Sequence, residues 1–460
     1  VVPALIGTVM GSPLAISGTA GDGGSATAAL LNGLQAVAVD AAGNVFIGDY
    51  NNYRIRKIDA VTGQASTVAG TGVSAYGGDG GPATAASFSD PSGVAVDPAG
   101  HIYITDAGNN RIRKVDAGTG IMTTVAGTGV PGFNGDGVAA TAADLNYPAD
   151  VVLDAAGNLF IADAANHRVR KVDAGTGLIS TVAGTGVPGF AGDGLAAVAA
   201  ELNGPYGLAV DGSGTLYVSD STNHRVRKVD PASGVIVTVA GDGSPSYGGD
   251  GGPGASAQLK DPQGLAVDSM GNVYIADASN SRIRKIDVAT GVITTIAGNG
   301  LIGVGVDGVP STSATLFLAA DVALDSSCRL YIADTGSNRL RKVGSSRLIG
   351  SARVSAPSVR SGGWVDLELT LSNTGTESAN AMLPSATSFG GGATATLVAG
   401  PFPAGPVVLA PGATQTFVWT FSATGAGGIR LTATATGIDA GTGAAVIVAD
   451  SRTVVVYEPC

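Results

Sequence analysis

Residues 95–116 read AVDPAGHIYITDAGNNRIRKVD, and the chain repeats this pattern six times. Its second aspartate returns as Asp49, Asp106, Asp163, Asp220, Asp277 and Asp334, each 57 residues after the one before. A fixed long period marks one supersecondary unit that cannot bury its apolar face alone and stacks against copies of itself. Within the unit, residues 94–96 form a short apolar run closed by the turn cluster Asp97-Pro98-Ala99-Gly100, and residues 102–104 follow directly, which predicts a hairpin. Residues 107–110 offer glycine and asparagine for a second tight turn, and residues 111–115 alternate charged and β-branched side chains as a third strand. Residues 116–120 turn the chain again, and residues 122–126 read as a fourth strand. Four strands repeated six times predict an all-β fold of propeller blades around a channel rather than a sandwich or a solenoid.

The ends of the array predict how it closes. LIGTVMG at residues 5–11 matches the fourth-strand pattern STVAG at 66–70, and the sixth unit ends at Arg341-Lys342-Val343-Gly344 without a fourth strand of its own. The N-terminal strand is therefore expected to complete the last sheet and leave no open edge in the ring.

The segments GNLFIADAANHRVRKVD at 157–173 and GNVYIADASNSRIRKID at 271–287 resemble the NHL repeat, in particular that of bacterial secreted proteins. The resemblance spans residues 1–344 with six copies in register, and it implies a six-bladed β-propeller: a disc with a channel and two loop-bearing faces. It does not imply one activity, because NHL-like propellers include binding modules, a few lyases and RNA readers.

Composition narrows the setting. Gly 72 and Pro 21 would suggest disorder in an aperiodic chain, but most of the glycine falls at fixed turn positions of the repeat. The chain begins at Val1 with no charged, apolar-cored leader, so an exported, processed protein acting outside the cell or at its surface is expected, its signal peptide absent from these residues. No run of about 18 apolar residues is present, so no membrane span is expected. The net charge of −11 lies mostly in residues 1–344, which hold 30 acidic and 20 basic residues, and such a surface excludes nucleic acid as a natural partner.

Several repeated residues are candidate contacts. A loop of the form GxGDGGPATAAxLxxPxG joins successive units, and its aspartate recurs as Asp22, Asp79, Asp136, Asp193, Asp250 and Asp307. These carboxylates are either a ring of oxygen ligands for Ca²⁺ or local groups that bond their own loop and cap the short ATAA turn. Three residues earlier stand Tyr76, Phe133, Phe190 and Tyr247, which either stack on a glycan or a partner peptide or pack on the neighbouring loop. The Arg-x-Arg-Lys triplets hold 18 of the 25 basic residues, and Asp106 faces Arg111 across one tight turn, so local ion pairing is expected there. His101, His167 and His224 fall on turns, and no zinc set or nucleophile–histidine pair is legible.

The channel mouth breaks the symmetry. Where other units begin the inner strand with Gly93, Gly207 and Gly264, the third and sixth place Asp150 and Asp321, opposite each other with Tyr206 and Gln263 between. Two facing carboxylates either bind a metal or polar ligand, as in metal-dependent lactonase or lyase chemistry, or reflect drift among repeats.

From residue 345 to 460 the period stops, and seven alternating or apolar runs, at 353–359, 364–371, 379–383, 393–398, 414–421, 429–435 and 444–456, predict an immunoglobulin-like β-sandwich. SGGWVDLELTLSNTGTESA at 361–379 resembles bacterial cell-surface immunoglobulin-like modules, and Trp364 and Trp419 are expected in its core. Cys328 lies in a turn of the sixth unit and Cys460 is the last residue, a placement that allows an intermolecular disulfide in a head-to-tail filament, an intramolecular bond, an anchor or free thiols. The expected function is non-enzymatic and without a required cofactor: a structural or adhesive disc that meets protein partners or its own copies. The alternatives are glycan or protein capture by the inter-blade loops, and a channel-centred lyase or lactonase.

Overall fold

The computed structural model describes residues 4–326, 328–344, 348–373, 379–390, 393–410, 413–439 and 445–457. It is all-β and divides into two compact units, residues 8–306 with 310–343, and residues 344–460 with 1–7 and 307–309.

In the larger unit each repeat becomes a four-stranded antiparallel meander. The second is Pro91–Val96, Ile102–Asp106, Arg111–Val115 and Met122–Ala126, joined in that order. The first hairpin closes because Gly100 takes φ +86° and because Asp97 Oδ1 accepts the N–H groups of Ala99 and His101 at 3.0 and 2.9 Å. The second turn is a single 3₁₀ turn, Ala107–Asn109, ended by Asn110 at φ +53°. The third holds through Asp116 Oδ1, which accepts from the N–H groups of Gly118 and Thr119 and from the Thr119 hydroxyl.

Five such sheets follow one another, and a sixth has the strand order Val309–Pro310, Leu5–Met10, Arg339–Gly344, Leu330–Asp334, Ala319–Leu324. The N-terminal strand thus occupies the place of the missing fourth strand. The first strand of every sheet packs against the first strand of the next, and that of the sixth packs against that of the first, so the cycle is closed. Closed repetition of four-stranded sheets is the architecture of a β-propeller.

The apolar core lies between adjacent sheets. Phe46 and Ile55 of the first sheet meet Val94, Ile102 and Ile104 of the second, with Ala83, Ala86 and Phe88 of the connecting loop wedged beside them. Each fully buried large side chain stabilises the wedge by about 1.5–3 kcal/mol, and the same loop positions are buried between every later pair, as in Ala140, Ala143 and Leu145. This is why the ATAAxL segment recurs in the loops.

The smaller unit closes two sheets on one core. One holds Leu348–Val354, Trp364–Asn373, Thr414–Gly425 and Ala393–Phe402, and the other Ser358–Arg360, Ala445–Tyr457, Gly427–Asp439, Ala379–Gly390 and Val407–Leu409. Val365, Leu367, Leu369 and Leu371 point inward against Phe417, Trp419 and Phe421. Trp364 does not join them: it is 69% exposed, because inward positions on its strand are the odd-numbered ones and it falls on the other face.

Candidate functional site

The repeated charges hold the loops down. Arg113 is fully buried, and its guanidinium meets Asp106 Oδ2 at 3.1 Å through Nη1 and Asp79 Oδ1 at 2.6 Å through Nη2. Arg56 joins Asp22 to Asp49, Arg170 joins Asp136 to Asp163, Arg227 joins Asp193 to Asp220, and Arg284 joins Asp250 to Asp277 in the same way. The sequence places Arg111 opposite Asp106, and their backbones do pair, yet the ion pair goes to Arg113, while the Arg111 guanidinium donates to the carbonyls of Asn109 and Thr128. Nor does the loop aspartate cap the ATAA turn, whose first residue receives no side-chain bond; it reaches the buried arginine instead. Burial pushes Asp106 up to about 6 against the bonds it accepts from Ser89, Arg113 and Asn109, whereas bonds from Thr124 and Arg113 outweigh burial at Asp79 and hold it below its ordinary range.

The loop aromatics complete this clamp. The Arg111 guanidinium lies 3.7 Å from the Tyr76 ring centre, Arg168 3.9 Å from Phe133, Arg225 3.7 Å from Phe190 and Arg282 3.6 Å from Tyr247. Tyr76 and Tyr247 also donate to Asp79 and Asp250 at 3.1 and 2.9 Å. Each ring therefore has one face taken by an arginine of its own unit. Among the described residues no three His, Cys, Asp or Glu side chains are placed to hold one metal ion.

The channel is where the repeat departs from itself. Asp150, Asp321 and Tyr206 line one small cavity with Gln35, Ser92, Ala149, Gly207, Gly264 and Ala320. Asp150 accepts the N–H of Val151 at 2.8 Å and that of Leu208, in the next sheet, at 2.9 Å. Asp321 does the same with Val322 at 2.8 Å and with Val37, across the seam to the first sheet, at 2.8 Å. Burial pushes Asp150 up to about 7, and burial together with the Asp150 charge holds Asp321 well above the ordinary carboxylate range. The glycines of the neighbouring sheets make the room: a Cβ on Gly264 would lie 1.9 Å from Asp321 Oδ1, and one on Gly93 would lie 2.9 Å from Asp150 Oδ1. Gln263 is not part of the cavity lining; its backbone carbonyl accepts the Ser219 hydroxyl.

Two tyrosines unmarked by the sequence pattern stand in the same mouth. Tyr50 and Tyr147 share a hydrogen bond of 2.9 Å, and Tyr206 reaches Gln35 Oε1 at 3.5 Å. The signal was present: position 50 is occupied in the other repeats by Ala107, Ala164, Ser221, Ala278 and Thr335, and Tyr147 stands where other repeats have Gly33, Asp90, Gly204 and Asp261, residues that suit the positive φ found there.

A second repeated loop position is apolar and exposed. The residue 57 positions apart at Ile16, Val73, Val130, Val187 and Leu301 is apolar and between 50% and 67% exposed, with Ser244 in the remaining loop. The antiparallel meander brings these loops to the same face as the second turns and the channel mouth. Cys328 is exposed at φ +58°, and Cys460 lies outside the described residues. His167 and His224 accept the N–H groups of Gly204 and Asp261, and His101 that of Ala117, so each acts as a turn brace.

Comparison with known proteins agrees with this fold. The NHL repeat model matches residues 88–115 and 145–172, and the Teneurin NHL domain model matches 187–246 and 243–304. Protein SUPPRESSOR OF QUENCHING 1, chloroplastic, of Arabidopsis thaliana is 31% identical over 280 residues, 58% of this chain and 26% of that protein. Teneurin-4 of Mus musculus is 32% identical over 286 residues, 53% of this chain and 10% of that protein. The chain thus spans about a quarter or less of these two relatives. A solved structural genomics protein of unknown function from Bacteroides thetaiotaomicron superposes with a TM-score of 0.56 at 20% identity, over 74% of this chain and 75% of that one. Of the resemblance read from the sequence, the repeats themselves are borne out within residues 88–304: the chain carries NHL repeats, including a stretch of the teneurin type.

Proposed function

We propose that the chain is a non-enzymatic protein-interaction scaffold: a six-bladed propeller over residues 1–344 followed by an immunoglobulin-like sandwich over 345–460, acting outside the cell or on its surface, where it meets other proteins and its own copies. The observation that carries this reading is the set of exposed apolar side chains at Ile16, Val73, Val130, Val187 and Leu301. A single exposed valine is ordinary, but the same exposure at one loop position in five of six repeats offers an extended, multivalent surface. The repeated charges and rings support it by elimination, since they are engaged within their own units, and NHL propellers typically mediate protein interactions.

Light scattering on the native protein, with and without reductant, tests the self-association arm. The expected result is a mass above the 44.8 kDa of one chain that rises with concentration; a fall on reduction would assign part of the contact to Cys328. A 44.8 kDa species at every concentration in both conditions sinks that arm.

A further inference from the structure

We propose that the channel mouth is a receptor site for a primary ammonium group on a slender alkyl stem, with Asp150 and Asp321 as its floor and Tyr50, Tyr147 and Tyr206 as its walls. The site is distinct from the apolar loop surface and does not rest on the scaffold reading.

Two half-buried carboxylates line one cavity, and the titratable groups that face them are each other, Tyr206 and, beyond it, Tyr147; no arginine, lysine or histidine among the described residues compensates them. Half-buried carboxylates that line one small cavity without a cation either take up protons or hold a cation from outside. The cavity they line measures about 10 Å³, room for about one water, and an ammonium head is of that size whereas a trimethylammonium is not. A second observation points to the same place: the Thr105 hydroxyl is fully buried without a hydrogen-bond partner, and it borders the space above Gly93 that Asp150 Oδ1 also borders. An ammonium has three N–H donors to offer, and Asp150, Asp321 and Thr105 are acceptors.

The tyrosines supply what the stem needs. Their rings present apolar, electron-rich faces to an alkylammonium, and the Tyr50–Tyr147 hydrogen bond ties together the two rings that stand near Tyr206. The residues that make the site, Gln35, Tyr50, Thr105, Tyr147, Asp150, Tyr206 and Asp321, stand at positions where the repeats differ from one another, while the clamp residues around the periphery recur.

The source of the ammonium is either a free alkylamine or a lysine side chain of a partner chain, and two probes separate them. Titration of the full chain with n-butylamine, followed by NMR or calorimetry, is expected to saturate at one site per chain, with choline and n-butanol failing to bind. Nα-acetyl-lysine N-methylamide binding at least as well as butylamine assigns the lysine source; butylamine alone binding assigns the free amine. Asp150→Asn is expected to weaken binding about tenfold or more, the loss of one charge-assisted bond, and affinity is expected to rise from pH 6 to 8 as the floor loses its protons. Tyr147→Phe, which keeps both carboxylates, removes the hydrogen bond to Tyr50, frees the two rings to move apart and is expected to speed association. Choline binding as tightly as butylamine, or butylamine binding unchanged in a folded Asp150→Asn protein, overturns the proposal, as does the absence of any amine binding in both the native and the Tyr147→Phe proteins.

Discussion

Arg113 holds two carboxylates with one buried guanidinium, Asp106 at 3.1 Å within its own sheet and Asp79 at 2.6 Å on the loop that leads into it. Replacing the arginine leaves Asp106 buried and unpaired, so Arg113→Leu is expected to destabilise the larger unit by about 3–5 kcal/mol. Asp79→Asn, at a partly exposed position, is expected to lower stability by about 1 kcal/mol. Joint replacement of Arg113 and Asp106 by apolar residues is expected to do less harm than Arg113→Leu alone. Urea unfolding followed by circular dichroism orders the variants; a single replacement milder than the double one removes the ion-pair account.

That pairing also marks the limit of what the sequence reveals. The 57-residue period, the turn chemistry and the N-terminal match to the fourth strand were legible because each is a local pattern. The choice of Arg113 over Arg111 was not, because it depends on the preceding loop, whose Asp79 reaches Arg113 and whose Tyr76 lies against Arg111 only once the chain is folded. Tyr50 and Tyr147 are 97 residues apart and meet only when the ring closes. Trp364 was legible and misread, since it shares its strand face with Asp366 and Glu368 rather than with Val365 and Leu367.

The aromatic clamp predicts a gain as well as a loss. The first loop has Thr19 where later loops carry Tyr76, Phe133, Phe190 and Tyr247, although Arg54 occupies the matching arginine position. Thr19→Tyr is expected to stabilise the larger unit by about 0.5–1 kcal/mol and Tyr76→Ser to destabilise it by a similar amount. Thermal unfolding midpoints check both; opposite signs would show that the rings serve the surface and not the fold.

Stability should decline as pH rises from about 5 to 8. Burial places Asp49, Asp106, Asp163 and Asp277 at about 6 and Asp150 at about 7 in the folded chain, above the ordinary value of 3.8. Between those values the folded state binds more protons than the unfolded state, so the melting temperature is expected to be higher at pH 5 than at pH 8. The loop carboxyls Asp79 and Asp250, held below their ordinary range, act in the opposite sense and withdraw their stabilisation only as pH falls below it. Asp150→Asn is expected to flatten the slope between pH 6 and 8. Calorimetric melting across this range measures both effects.

The two tryptophans separate core from surface in the smaller unit. Trp419 is buried among Phe417, Phe421 and Leu367, and Trp419→Ala is expected to destabilise that unit by about 3–5 kcal/mol. Trp364→Ala is expected to change stability by less than about 0.5 kcal/mol. Fluorescence supplies an independent check, since a protein retaining only Trp419 should emit at shorter wavelength than one retaining only Trp364.

The apolar loop surface is tested most directly by removing it without touching the clamps or the core. In the variant Val73→Asp, Val130→Asp, Val187→Asp, Leu301→Asp, native molar mass and urea midpoint are measured on one preparation beside the unaltered chain. The account predicts that the unaltered chain associates above 44.8 kDa while the variant returns to that mass with its unfolding midpoint unchanged. An unaltered chain that associates as strongly as the variant, with both intact, would contradict it.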